Sequence, residues 1–145
     1  MAAAWFRHLC EQRKLSFVQV RSAGTAATDG APMSREVRAV LADEDVSAGP
    51  HRSRALSARL LRESDLVITM TESHRSRVLD ILPEAAGKTV TLLGLIDQRG
   101  GIPDPIGGDV AEYARCLDAM KPALDALADR LAASHDNGTG PTTTR

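Results

Sequence analysis

A chain of 145 residues, 43% hydrophobic and 26% charged, is long enough for one domain with a real core and too short for two. Its net charge of −1, with acids and bases interspersed and no basic stripe carrying aromatics, argues against a nucleic-acid partner. The longest apolar runs are strand-sized, as at Leu66-Val67-Ile68, and the Ala-rich start carries Arg7 and His8 where a signal peptide would be apolar, so no membrane partner is expected.

Ala2, Trp5, Phe6, Leu9 and Cys10 recur at helical spacing, which predicts a helix from the start of the chain to about Lys14. Nothing caps it, and a terminal ammonium at the positive end of its dipole is unfavourable, so a preceding segment is expected. Phe17 to Arg21 is β-prone and leads into Ser22-Ala23-Gly24-Thr25. After the turn Asp29-Gly30-Ala31-Pro32, the residues Met33, Val37, Val40 and Leu41 predict a second helix. Leu56, Leu60 and Leu61 mark a third. The apolar strand Leu66 to Met70 follows, then Thr71 as N-cap of a helix buried through Val78, Ile81 and Leu82. Thr89 to Leu93 is a further short strand. In the last helix Val110, Tyr113, Leu117, Met120, Leu124, Leu127 and Leu131 alternate by three and four behind a capping-box-like Asp109 and Glu112, with a kink expected at Pro122.

Strands alternating with helices predict an α/β domain, a parallel sheet flanked by helices in a three-layer sandwich, over residues 1–133. Residues 134–145, rich in Gly, Thr and Asn, are expected to form a disordered tail. Cys10 and Cys116 lie in helical contexts without metal-ligand spacing, which fits a reducing cytoplasm; no metal or other cofactor is expected.

One stretch carries chemistry. Ile102-Pro103-Asp104-Pro105-Ile106-Gly107-Gly108 puts a single carboxylic acid on a stiff, glycine-ended loop just before the long helix, which suits a presented general acid as well as an ordinary turn. Such an acid needs a nucleophile and an anion cradle, and neither stands in the sequence. His74 reads as a helix-surface residue, and Arg52, Arg54, Arg59 and Arg62 as a solvated basic face.

Taken in order, Met1-Ala2-Ala3-Ala4-Trp5-Phe6, Arg21-Ser22-Ala23-Gly24-Thr25, His51-Arg52-Ser53-Arg54-Ala55-Leu56, Ser64-Asp65-Leu66-Val67, Met70-Thr71 with His74, and Asp104-Pro105 resemble the low-molecular-weight protein phosphatases. From Ile106-Gly107-Gly108 through the last helix the resemblance is to the bacterial branch that includes arginine phosphatases. It implies hydrolysis of a phosphomonoester or phosphoramidate through a cysteinyl-phosphate, on a phosphorylated protein or small phosphomonoester, with Asp104 as general acid. It further implies that Ser22 and His51 support the phosphate-binding loop and that Ile106 and Thr28 wall the pocket mouth. In that family the chain opens with a central strand and a Cys-x5-Arg loop that cradles phosphate, whereas this sequence begins at the Met just after it. Six residues beyond Cys10 and Cys116 stand Ser16 and Pro122, so neither fits the pattern. The expected sheet therefore lacks its first central strand, leaving two exposed strand edges, and the chain as written is expected to be inactive. A non-catalytic remnant that binds a protein partner and an arsenate reductase-like protein are the alternatives.

Overall fold

The computed structural model describes residues 1–138, and of 136–138 only the backbone. Helix α1 (Ala2–Gln12) turns Phe6, Leu9 and Cys10 inward, and Met1 precedes it without a side-chain cap. Helix α2 (Arg35–Asp43) is capped by Ser34, and its Val37, Val40 and Leu41 are buried. Short α3 (Ala58–Glu63) is capped by Ser57 and buries Leu61. Strand β1 (Val67–Thr69) then leads into α4 (Glu72–Ile81), whose first turn is closed by the Thr71 hydroxyl accepting from the His74 amide. A 3₁₀ turn, Pro83–Lys88, delivers the chain to β2 (Thr89–Thr91). A second 3₁₀ turn, Leu93–Ile96, follows directly, so the strand expected to reach Leu93 stops two residues earlier. Helix α5 (Val110–Gly138) closes the fold and runs on through Pro122 as one element.

β1 and β2 pair in parallel, Val67 opposite Thr89 and Thr69 opposite Thr91, with α4 as the crossover between them. Side chains alternate across the sheet as the pleat requires. Ile68, Met70 and Val90 pack against the main core formed by α1 and α5 with Leu92, Leu95 and Ile102. Val67 packs to the opposite side with Leu61, Val78, Leu82 and Ala85 of α3, α4 and the first 3₁₀ turn. Helices thus cover both faces of a small parallel sheet, the three-layer α/β arrangement. A third cluster, Ala4, Val37, Leu41 and Val46, seats α2 on α1.

The expectation of a strand at Phe17 to Arg21 is corrected. Its pleat is present, since Val18 and Val20 are half-buried between exposed Phe17, Gln19 and Arg21, but no ladder forms there. A strand is defined by a hydrogen-bonded neighbour, and among the described residues this segment has none. The segment expected to be a tail from Ser134 begins inside α5, which continues to Gly138; 139–145 lie outside the described residues. Among the described residues no helix is long and apolar enough to cross a membrane.

Candidate active site

The loop that bears Asp104 is pinned to the carboxyl end of β1. The Ile102 amide donates to the Met70 carbonyl at 2.9 Å, and the Ile102 side chain is buried in the main core. Gly101 passes so close that an added Cβ would lie 2.8 Å from Thr71 Cγ2 and 3.0 Å from the Met70 carbonyl oxygen. Beyond this anchor the carboxylate of Asp104 accepts from the Ile106 amide at 3.1 Å, an Asx turn. The Gly108 amide then closes a turn onto the Pro105 carbonyl at 2.8 Å, with Gly107 at φ 82°. Asp109 and Glu112 complete the stretch by a reciprocal cap: each backbone amide donates to the other's carboxylate at 2.9 Å. Asp104 is accordingly an exposed acid on a loop fastened at both ends.

Beside β1 lies a cleft of about 550 Å³. One wall is the chain from Val20 to Ala27 and the other is Leu66 to Met70. Phe6 of α1 with Leu124 and Leu127 of α5 close one side; Leu61 of α3 and Val78 of α4 close the other. Ser22, Asp104 and Ile106 line the same cleft and are all exposed, so they form its rim. Ile106 is 80% exposed, which places an aliphatic side chain in solvent beside the acid.

Thr28 and His51 do not line this cleft. Thr28 belongs to a loop held against residues 51–56: its carbonyl accepts from the Ser53 hydroxyl, the Asp29 carboxylate accepts from the Ala55 amide at 2.6 Å, and Gly24 bridges Ala55 in parallel. His51 is held below its ordinary pKa by burial first, then by the Met1 amino group and Arg7. Both thiols are pushed up. Burial is the main cause for Cys10 and for Cys116, and the Asp104 carboxylate raises Cys116 further. Cys116 Sγ also donates to the Pro103 carbonyl at 3.6 Å, tying α5 to the acid loop.

Two cleft residues escaped the sequence reading. His74, expected on a helix surface, lines the cleft; it stands four residues before buried Val78 and so shares its face of α4. Thr69 also lines it, and its hydroxyl is buried with no hydrogen-bond partner among the described residues. The basic group is partly paired: Arg59 and Arg21 both reach Glu63, at 2.8 and 2.9 Å. Among the described residues no group of His, Cys, Asp or Glu gathers that could hold a metal ion.

The sequence pattern described as low molecular weight phosphotyrosine protein phosphatase matches residues 1–137. The chain belongs to that family. It is 34% identical over 132 residues to a protein-arginine-phosphatase of Geobacillus stearothermophilus, covering 90% of this chain and 86% of the relative. It is also 42% identical over 113 residues to the low-molecular-weight protein-tyrosine-phosphatase Wzb of Salmonella typhimurium, covering 78% and 70%. Among solved structures, the YwlE arginine phosphatase from Geobacillus stearothermophilus superposes with a TM-score of 0.86 at 31% identity, covering 97% of this chain and 88% of that one. Wzb from Escherichia coli K30 in complex with sulphate follows at a TM-score of 0.80 and 25% identity, covering 90% and 87%. Members of this phosphatase family with tyrosine and with arginine in their names therefore align to the same scaffold.

Proposed function

We propose that Asp104 is the general acid of a phosphoryl-transfer site whose nucleophile and phosphate loop lie in a segment outside these 145 residues. The observation that carries this is its placement: an exposed carboxyl on a doubly anchored loop at the carboxyl end of a parallel strand, where open α/β sheets bind ligands. Membership of the phosphatase family supports the same reading. In the complete site a thiolate forms the S–P bond, the P–O or P–N bond breaks, and the Asp104 proton passes to the departing oxygen or nitrogen. Ser22, at the cleft rim, and His51, whose pKa is lowered by burial and then by the Met1 amino group and Arg7 of α1, support the loop that holds the phosphate. Ile106 walls the approach from the rim, and Thr28 stands on the loop just beyond the cleft-lining Ala27. Small Ala26 and Ala27 with aliphatic Ile106 offer a phenol ring no aromatic to stack on, which favours phosphoarginine over phosphotyrosine.

The test begins with the coding DNA upstream of Met1 and with the protein expressed from any in-frame Cys-x5-Arg segment found there. In that protein Asp104→Asn is expected to lower turnover of a poor leaving group by about 10²- to 10⁴-fold with phosphate binding nearly intact, and to matter less for an activated nitrophenyl ester. A loss of only a few-fold on the poor leaving group removes Asp104 from the mechanism. A stop codon upstream would instead assign the chain to the non-catalytic remnant.

A further inference from the structure

Residues 52–62 hold four arginines, Arg52, Arg54, Arg59 and Arg62, and no acid, in a chain whose net charge is −1. All four are exposed. Among the described residues only Arg59 of these has an ion-pair partner, Glu63 at 2.8 Å, and Arg21 takes the same carboxylate at 2.9 Å. One negative charge thus answers two guanidinium groups, while Arg52, Arg54 and Arg62 have none.

The way the segment folds lines these charges up. From His51 to Arg54 exposure alternates, because Ser53 turns inward to donate to the Thr28 carbonyl and accept from the Ala31 amide. Arg52 and Arg54 therefore share the opposite side of an extended chain, where residues two apart stand about 7 Å from each other. Arg59 and Arg62, three apart on α3, are neighbours on that helix. Arg54 and Arg59 meet at an open depression of about 580 Å³, which Arg21, Asp29 and Glu63 also line. Both of its carboxylates are already engaged, Glu63 by two arginines and Asp29 by the Ala55 amide at 2.6 Å. Arg21 and Leu60 border this depression and the cleft beside β1 alike, so the two adjoin.

The pattern selects among anionic partners. Single-stranded nucleic acid is held by aromatic stacking as well as charge, and residues 52–62 contain no aromatic. Stable seating on a membrane takes apolar side chains beside the basic ones, whereas Leu61 is buried and Leu56 and Leu60 are half-buried. Carboxylates at alternate positions of an extended peptide repeat at the same spacing of about 7 Å as Arg52 and Arg54, and each guanidinium offers a carboxylate two parallel donors. We propose that this face docks an extended acidic segment of a partner protein, with aspartate or glutamate at alternate positions against Arg52 and Arg54 and a further carboxylate at Arg59. The proposal requires neither Asp104 nor the phosphatase reading.

Fluorescence anisotropy tests it, with the protein as expressed from its gene and a labelled Ser-Glu-Ser-Glu-Ser-Glu-Ser peptide. Saturable binding is expected, weakening several-fold between about 50 and about 200 mM salt as exposed pairs are screened. Arg54→Glu is expected to weaken it about three- to tenfold, and the Arg54→Glu, Arg59→Glu double variant further. Arg130→Glu makes the same change of net charge at an exposed position of α5 and is expected to alter binding by less than about twofold. Since Arg54 has no ion pair to lose, its variant should melt at the parent's temperature. Equal weakening by Arg54→Glu and Arg130→Glu overturns the proposal, because net charge alone then explains the binding. No saturable binding by the parent at low salt also overturns it. Displacement of the peptide by inorganic phosphate at matched ionic strength overturns it in favour of a small-anion site, and tighter binding of a DNA oligonucleotide overturns it in favour of nucleic acid.

Discussion

Asp104 owes its position to bonds made by its neighbours. Ile102 ties the loop to β1, Ile106 donates back to the carboxylate, and Cys116 holds Pro103 from α5. Its exposed place on a fastened loop was legible because the signal is local: proline on both sides and glycines after. Thr69 and His74 were not legible, because what distinguishes them is a cleft created by elements distant in sequence. Two predictions belong to single residues. In the protein that includes its upstream segment, Ile106→Tyr is expected to shift kcat/KM toward phosphotyrosine peptides over phosphoarginine peptides, since one aromatic pair contributes about 0.5–1.5 kcal/mol; an unchanged ratio would show that Ile106 stands outside the pocket mouth. The second concerns His51, whose folded pKa lies below its ordinary value of 6.5 through burial, the Met1 amino group and Arg7. As pH falls below about 6.5 the unfolded chain takes up this proton before the folded one, so His51 lowers stability toward acid. His51→Gln removes that term. Its melting temperature is therefore expected to fall less than the parent's between about pH 7 and about pH 5, and parallel curves would contradict it.

At the scale of elements, helices were read well and strands less so. A helix satisfies its own backbone, so periodicity and caps suffice, and the caps Thr71 and Asp109 with Glu112 stand where their spacing placed them. A strand depends on a neighbour that its own residues do not specify. Phe17 to Arg21 has the composition and the alternation of a strand yet no ladder among the described residues, while Thr89 to Leu93 leaves the ladder after Thr91, where buried Leu92 leads into the 3₁₀ turn that buries Leu95. The cap on α4 gives a direct measurement. Thr71→Ala leaves the His74 amide without its acceptor and is expected to cost about 1 kcal/mol in denaturant unfolding, with Thr71→Ser recovering most of it. If Ala and Ser variants unfold alike, the hydroxyl is not what secures that turn.

For the whole molecule, the order of helices and strands was enough to predict helices on both faces of a parallel sheet, because amphipathic helices alternating with apolar strands have few other ways to bury both surfaces. The cleft beside β1 was not legible in the periodicity, which describes single elements and not the space between them. The same global arrangement decides the fate of the two thiols. Cys10 faces the main core from α1, and its pKa is raised chiefly by burial. Cys116 is raised by burial and then by the carboxylate of Asp104, the very group that would serve as acid beside a working nucleophile. In both, burial outweighs the nearby positive charge, Arg13 for Cys10 and the Met1 amino group for Cys116, and neither is followed at the required distance by arginine. The 145-residue chain is accordingly expected to hydrolyse nitrophenyl phosphate and phosphoarginine peptides no faster than its Cys10→Ser, Cys116→Ser double variant. Arsenate reduction should likewise be absent. Both thiols are also expected to react slowly with iodoacetamide near neutral pH until denaturant is added, as most of each remains protonated. Turnover that disappears in the double variant, or rapid alkylation of the native chain at either cysteine, would mean that one of them has become a thiolate in spite of its surroundings.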